Sequence, residues 1–114
     1  MRISSDSLET FEQEIYSCRD CRVDIPKSKV NKDTWCCDYC GEKVIIDIGK
    51  RHNLARLYPH EMNNFDMVYD QYSEKFYGIK GINNKEEKSI IGVEGYRGIT
   101  VREDELVNCM WVIR

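Results

Sequence analysis

The chain has 114 residues, with 17 lysines and arginines against 20 aspartates and glutamates, two histidines and six cysteines. This length holds one domain or two small units, and it is too short for a doubly wound sheet with separate cofactor and substrate halves. Charged residues at 32% and apolar residues at 41% are typical of a globular protein and exclude a disordered tail. No apolar run spans a bilayer and no N-terminal signal peptide is evident, so we expect a cytoplasmic protein that does not bind a membrane.

The N-terminal segment predicts a short amphipathic helix over residues 6–15. Polar side chains at 4–6 are suited to cap its first turn, because they can accept hydrogen bonds from free backbone N–H groups. Leu8, Phe11 and Ile15 then recur at helical spacing. We expect this helix to lead directly into the cysteine-rich segment.

Four of the six cysteines form two pairs of the form Cys-x2-Cys, at Cys18 and Cys21 and at Cys37 and Cys40, with fifteen residues between the pairs. One tight turn aims both sulfurs of a pair at one ion, and two such turns supply a tetrahedron of soft ligands at about 2.3 Å. In a reducing compartment, clustered cysteines indicate a metal before they indicate disulfides. The spacing predicts one Zn²⁺, with an iron–sulfur cluster, a mononuclear iron or two disulfides as the alternatives.

The other two cysteines have different interpretations. Cys36 could replace Cys37 as a ligand, but its three-residue separation from Cys40 fits the turn less well. We interpret Cys36 as a small buried apolar side chain, and Cys109 as a core residue because it lies in an apolar C-terminal run.

The residues around the cysteine pairs extend the pattern. An aromatic side chain precedes each pair, at Tyr16 and Trp35, and Gly41 follows the last cysteine, where a positive φ relaxes the turn. On these residues the segment 14–49 resembles the zinc-ribbon superfamily, in which two cysteine knuckles on β-hairpins clamp one zinc. It departs from that pattern at Arg22, where a glycine is common. Four thiolates fill the coordination sphere, so we expect a structural zinc whose chelation unfolds this segment first.

A second, longer helix is predicted over residues 59–77. Pro59 suits the first helical position and Gly78 the position after the last turn. Apolar residues between them recur at spacings of three and four. This stripe consists of Met62, Phe65, Tyr69, Tyr72 and Phe76.

After Gly78 the pattern changes to short apolar pieces separated by glycines and polar loops. We expect a small antiparallel sheet that packs on the aromatic stripe, built from residues 79–82, 89–93, 99–101 and 106–113. The last piece has two interpretations, since Thr100 and Glu103 match a capping box while 107–113 is rich in strand formers. We favour a strand.

The sequence therefore predicts an α+β fold, with an N-terminal four-cysteine zinc ribbon followed by an amphipathic helix packed on a small antiparallel β-sheet. The predicted units are residues 1–52, a short helix plus the ribbon, and residues 53–114, the helix plus the sheet.

The favoured function is binding to another protein. Asp66, Asp70 and Glu74 lie four residues apart on the presumed solvent face of the long helix and could meet a basic partner. A compact, acidic, zinc-stabilised chain without a catalytic constellation is typical of an adaptor, a regulator, or an inhibitor or immunity-type protein. The single alanine and twelve isoleucines favour an AT-rich genome, such as that of many bacteriophages and low-GC bacteria.

The alternative is nucleic-acid binding in the transcription or DNA-processing machinery, because many zinc ribbons act there. Its candidate residues are Lys27, Lys29, Lys32 and Trp35, with the tryptophan placed to stack on bases. Charge opposes this alternative. Residues 17–52 carry eight basic and six acidic side chains, a net of +2, which four thiolates and one Zn²⁺ cancel. The whole chain falls from −3 to about −5 with zinc bound, and phosphate binding needs a basic face.

An enzyme is the least favoured function. His52 and His60, with Glu61, could bind a second metal in a hydrolase or nuclease, but their spacing matches no established ligand pattern. The sequence shows neither a glycine-rich phosphate loop nor a nucleophile with a nearby base. We therefore expect no catalytic residues.

Overall fold

The computed structural model describes residues 2–5, 11 and 13–113. Regular structure in this part of the chain is almost entirely β, and it contains no α-helix. The α+β prediction is therefore wrong. The described residues form an antiparallel sheet of ten short strands and a separate two-stranded hairpin.

The described residues of the first half supply six strands and one 3-10 turn at Lys27–Lys29. These strands are β1 Ser4–Ser5, β2 Ile15–Cys18, β3 Val23–Asp24, β4 Val30–Asn31, β5 Cys36–Cys37 and β6 Ile45–Asp47. The second half supplies six more, with a 3-10 turn at Pro59–Glu61. They are β7 Leu54–Leu57, β8 Met67–Asp70, β9 Lys75–Asn84, β10 Lys88–Val93, β11 Ile99–Arg102 and β12 Leu106–Met110.

The large sheet has the strand order β11-β10-β9-β8-β12-β7-β6-β2-β3, with β1 beside β12. The long strand β9 pairs with β8 through its first residues and with β10 through the remainder, so it belongs to both halves of a curved meander. Strand β12 returns to the centre, between β7 on one side and β1 and β8 on the other. Strands β3 and β11 lie at opposite edges.

Two apolar clusters stabilise the sheet. The larger is formed by inward side chains of β7 to β12, among them Leu57, Val68, Ile91 and Val107, which are fully buried. The smaller lies under the cysteine-rich segment and contains Tyr16, Trp35, Val44, Ile46 and Leu54. Strands β6 and β7 pair directly through Ile46 and Leu54, which places the cysteine-rich segment in the same sheet as the C-terminal strands.

The predicted helix over 59–77 is wrong, because this segment forms a 3-10 turn, strand β8 and the start of β9, separated by turns that aspartate side chains stabilise. The Asp66 carboxylate accepts a hydrogen bond from the Asn63 backbone N–H at 2.7 Å. The Asp70 carboxylate accepts from the backbone N–H groups of Tyr72 and Ser73, both at 3.2 Å, and closes the turn between β8 and β9. Aspartate favours such turns over helix interiors, and the Met67–Asp70 segment is rich in strand formers.

The stripe is divided accordingly between two environments. Tyr69 is 2% exposed, whereas Phe65 and Tyr72 are 61% and 73% exposed. The other predicted helix, over 6–15, falls mostly outside the described residues. At its end Ile15 begins strand β2.

The predictions for the C-terminal half are closer to the structure. The four apolar pieces correspond to β9, β10, β11 and β12, and the polar segment 85–87 is the turn between β9 and β10. The last piece is a strand over Leu106–Met110, as favoured, and residues 111–113 lie outside it. No helix in the described residues is long and apolar enough to cross a membrane.

Candidate metal centre

The first cysteine pair lies on the hairpin of β2 and β3. Cys18 ends β2, and the chain turns so that the Arg22 N–H donates to the Cys18 carbonyl at 2.8 Å. Arg22 adopts a φ of 55°, in the left-handed region. The first turn therefore has the geometry that a glycine would give, despite the departure from the ribbon pattern at this position.

The second pair repeats this arrangement nineteen residues later. The Gly41 N–H donates to the Cys37 carbonyl at 2.8 Å, and Gly41 has a φ of 79°. The two hairpins also match beyond their turns. In the first hairpin the Ile25 N–H donates to the Tyr16 carbonyl, and in the second the Val44 N–H donates to the Trp35 carbonyl, both at 2.9 Å. Two equivalent hairpin turns thus present two cysteines each.

The two turns bring four sulfurs together. The Sγ atoms of Cys18, Cys21, Cys37 and Cys40 all lie within 4.8 Å of one another, and those of Cys18 and Cys40 are 3.2 Å apart. A tetrahedron with 2.3 Å metal–sulfur bonds has edges of about 3.8 Å, so this cluster is of the size that a metal ion requires. None of these cysteines is in a disulfide.

The thiols influence one another's protonation. Burial raises the pKa of the Cys18 thiol, but hydrogen bonds from Cys21 and Cys40 outweigh it and lower the pKa. The Glu42 backbone lowers the pKa of Cys40, but hydrogen bonding to Cys18 and desolvation raise it overall to about 12. Hydrogen bonding to Cys18 also raises the pKa of Cys21. The thiols of Cys21 and Cys40 therefore retain protons that a soft divalent cation would displace.

The cysteines outside this set are placed differently. Cys36 is half-buried and not fully buried as predicted, and its Sγ lies 3.6 Å from the Thr34 carbonyl oxygen rather than in the cluster. Cys37, and not Cys36, is the member that joins the set. Cys109 is fully buried in the larger apolar cluster, which confirms its prediction as a core residue.

A buried polar network joins the cysteine-rich segment to the central strands. Arg56 on β7 is fully buried, and its guanidinium lies 4.1 Å from the ring centroid of Trp35. Its Nη1 forms an ion pair with the Glu14 carboxylate at 2.9 Å, its Nη2 donates to that carboxylate at 3.0 Å, and its Nε donates to Asn108 Oδ1 at 3.2 Å. Sequence reasoning missed this network, because residues 14, 56 and 108 share no local pattern.

The network shifts the pKa of two neighbouring groups. Burial raises the pKa of Glu14, but the hydrogen bond and charge of Arg56 outweigh it, so the pKa lies below its ordinary value. Burial and the adjacent Glu14 carboxylate raise the pKa of Tyr16 to about 12. Glu14 is therefore ionised and Tyr16 neutral at ordinary pH.

A second link runs through Lys43. Its Nζ donates to Glu61 Oε1 at 2.9 Å and to the Arg56 carbonyl at 3.0 Å, and it also donates to the Thr34 carbonyl. Glu61 Oε1 in turn accepts from the Tyr58 backbone N–H at 2.9 Å. These contacts fix the second hairpin against the 3-10 turn that follows β7.

The residues considered for nucleic-acid binding are divided between surface and interior. Lys27 and Lys29 are exposed. Trp35 is 1% exposed, and the Lys32 Nζ is buried at 4.5 and 4.6 Å from the ring centroids of Trp35 and Tyr16. Trp35 is therefore not available to stack on bases, and Lys32 is engaged within the protein.

The residues considered for partner binding do not form a row. Asp66 and Asp70 are 1% and 3% exposed and serve the turns described above. Glu74 is exposed and pairs with Lys50 at 3.2 Å. The two histidines are also separate, since the His52 ring packs edge-on against Phe76 and His60 stacks on Tyr58.

Comparisons with known protein families, with curated proteins and with solved structures find no match to this chain. The resemblance to zinc ribbons therefore rests on the cysteine spacing and the paired hairpin turns alone.

Proposed function

We propose that Cys18, Cys21, Cys37 and Cys40 bind one structural Zn²⁺. The single observation that carries this proposal is the convergence of four Sγ atoms within 4.8 Å from two equivalent turns. Four thiolates leave no coordination position for water or substrate, which favours a structural ion over a catalytic one. We also propose a binding protein and not an enzyme, because the sequence carries neither a glycine-rich phosphate loop nor a nucleophile with a nearby base.

Metal analysis of matched cysteine variants tests the ion. The purified protein should contain one zinc per chain, and Cys37→Ser should lose it. Cys36→Ser is the matched control, because Cys36 is adjacent in sequence but lies outside the cluster. Equal zinc content in both variants would contradict the proposal.

The function that we propose for the folded chain is contact with a basic partner protein, of a regulatory or inhibitory kind. Its support is an acidic surface formed by Glu86, Glu87, Glu103 and Asp104. The loop 85–87 and the turn after β11 are joined by a hydrogen bond from Glu103 N–H to the Glu87 carbonyl at 3.0 Å. They line a cavity of about 510 Å³ together with Lys88 and Arg102. Arg102 Nε forms an ion pair with Asp104 at 3.1 Å, and the surface keeps a net negative charge from the glutamates.

An aromatic pair adjoins this acidic surface. Tyr58 and His60 stack with ring centroids 5.7 Å apart and planes 7° apart, and with Glu103 and Asp104 they line a cavity of about 330 Å³. Aromatic faces beside carboxylates suit the guanidinium and ammonium groups of a basic protein. This surface replaces the row of Asp66, Asp70 and Glu74 as the proposed contact.

Charge reversal tests the contact. Capture from a native extract should return one stoichiometric protein, and the triple variant Glu86→Lys, Glu87→Lys, Glu103→Lys should lose it. The matched control reverses Asp24, Asp47 and Glu94, three exposed carboxylates outside both the acidic surface and the cysteine turns. Equal capture by both variants, or capture of nucleic acid alone, would contradict the proposal.

Nucleic-acid binding at the second knuckle is the second candidate function. One observation favours it, namely that Lys29 Nζ lies 5.9 Å from the ring centroid of Tyr39, whose side chain is 63% exposed. An exposed aromatic beside a lysine can stack on a base while the cation meets phosphate. A salt-dependent gel shift that is lost in Tyr39→Ala would support this candidate, and a shift unchanged in that variant would remove it.

A further inference from the structure

A separate cleft of about 710 Å³ lies where three segments of the chain meet. It lies between the residues before β2, the loop after β6 and the β8–β9 turn. Its lining residues are Phe11, Gln13, Ile48, Gly49, Lys50, Tyr69 and Glu74. The volume falls within the range of small-molecule sites. None of these residues belongs to the cysteine cluster or the acidic surface.

The apolar part of the cleft is aromatic and aliphatic. Phe11 and Ile48 are half-buried, so part of each side chain remains open to the cleft. Behind them the Tyr69 ring packs edge-on against Phe11 at 5.8 Å and lies 5.0 Å from Phe76. These contacts hold the Phe11 ring against a rigid base, which suits it to pack against a planar ligand.

The polar part of the cleft places a donor beside an acceptor. Lys50 Nζ lies 3.2 Å from Glu74 Oε1, and about half of each side chain is exposed. Burial and the Glu74 carboxylate raise the pKa of Tyr69, whereas Lys50 lowers it, so the phenol lies in the field of both charges. Gln13, which is exposed, adds an amide that both donates and accepts.

Glu74 occupies a backbone position that does not favour it. Its φ is 58°, and its N–H donates to the Asp70 carbonyl at 2.8 Å to close the turn. Glycine is the favoured residue in this left-handed conformation. Glycine can therefore replace Glu74 without backbone strain, which makes Glu74→Gly a useful variant.

We propose that this cleft binds a nucleobase. Bases carry donors and acceptors side by side along one planar edge, and the Lys50–Glu74 pair offers the complementary donor and acceptor. The face of the base would pack on Phe11, since stacking on aromatic side chains accepts any base. Arg51, which is exposed and follows Lys50, supplies positive charge for an adjoining phosphate. The base belongs to a free nucleotide or to a single strand, which share this chemistry.

This binding is independent of the zinc ion and of the acidic surface, so it can fail while those proposals hold. The test is an amide NMR titration of the full chain with guanosine monophosphate, a short single-stranded oligonucleotide and ribose 5-phosphate. The nucleotide or the strand should shift the signals of Gln13, Lys50 and Glu74, and ribose 5-phosphate should not.

Three variants make the test specific. Lys50→Ala and Glu74→Gly should each weaken binding about tenfold, the loss expected for one well-placed pair of hydrogen bonds to a base. Glu74→Gly suits the positive φ, so loss of binding there does not reflect misfolding. Lys85→Ala, an exposed lysine in the β9–β10 turn, is the matched control and should bind normally.

The source of the base follows from salt dependence. If the oligonucleotide binds more tightly than the nucleotide and its affinity falls steeply with salt, the natural ligand is a single strand. If the two affinities are equal, the natural ligand is a free nucleotide. Three results would overturn the proposal: no shift in the cleft with either probe, equal shifts with ribose 5-phosphate, or unchanged binding by the Lys50 and Glu74 variants.

Discussion

Replacing Arg56 with methionine removes one partner of the buried ion pair that joins the cysteine-rich segment to the central strands. Arg56 is fully buried, and the Glu14 side chain is 4% exposed. Removing one partner of such a pair destabilises by about 3–5 kcal/mol, because the other charge stays buried without compensation. Domains of this size have unfolding free energies of about 5–15 kcal/mol, so Arg56→Met should lose a large fraction of the total.

Replacing Arg56 should reverse the direction in which the ionisation of Glu14 makes stability depend on pH. In the unmodified protein the folded pKa of Glu14 is lowered, so its contribution is present above the unfolded pKa, near 4.5, and is lost as the pH falls through the folded pKa. In Arg56→Met, we expect burial, the largest effect on Glu14, to outweigh the remaining hydrogen bonds from the Phe11 N–H and the Tyr16 hydroxyl and to raise its pKa. The variant should therefore become less stable as the pH rises through that raised value.

Urea unfolding followed by tryptophan fluorescence measures both effects, because Trp35 lies beside Arg56 and is buried in the folded state. The double variant Glu14→Leu, Arg56→Met is the control, since replacing both partners by apolar side chains leaves no isolated charge. It should be more stable than Arg56→Met alone, with a coupling energy of about 2 kcal/mol or more. A loss below about 1 kcal/mol in Arg56→Met, or strict additivity in the double variant, would refute this reasoning.

Further predictions concern the first knuckle and its aromatic support. Arg22→Gly should stabilise the protein against urea by about 1 kcal/mol, because Arg22 has a φ of 55° that glycine adopts without strain. Arg22→Ala should not stabilise it. Equal stabilisation by both variants would show that the loss of the arginine charge, and not the relief of backbone strain, is the cause. In spectrophotometric titration one tyrosine should ionise only near pH 12, and Tyr16→Phe should remove that step. Because that pKa is raised, the stability that Tyr16 contributes below pH 10 should be lost as the pH rises towards 12; an unchanged titration curve in Tyr16→Phe would contradict this.

The cysteine cluster was predictable from the sequence because its determinants are local. Two residues between cysteines set each turn, and the residue after each pair must accept a positive φ. The structure shows that Arg22 meets this requirement as Gly41 does. The backbone of the first turn therefore keeps its left-handed conformation although arginine stands where glycine is common.

The long helix was not predictable in this way, because periodicity alone does not distinguish a helical stripe from two strands and a turn. Tyr69 and Phe76 are seven residues apart and fit one helical face, yet they are cross-strand partners in β8 and β9. The competing signal was Asp70, whose side chain caps the turn between them. Strand propensity in Met67–Asp70 points the same way.

The interior positions of Trp35, Lys32 and Asp66 show a second kind of limit. A tryptophan beside lysines and an aspartate in a charged row both resemble surface patterns in the sequence. Trp35 packs against Arg56, and the Lys32 Nζ lies over the ring of Tyr16, so the partners of both are distant in sequence, whereas Asp66 bonds to the nearby Asn63 N–H. Long-range partners of this kind leave no local periodicity.

X-ray absorption at the zinc edge of the purified, unmodified protein tests the central claim most directly. We predict one zinc per chain with four sulfur neighbours at about 2.3 Å and no nitrogen or oxygen bound directly to the metal. Protein without zinc, or zinc with nitrogen or oxygen ligands, would contradict this prediction.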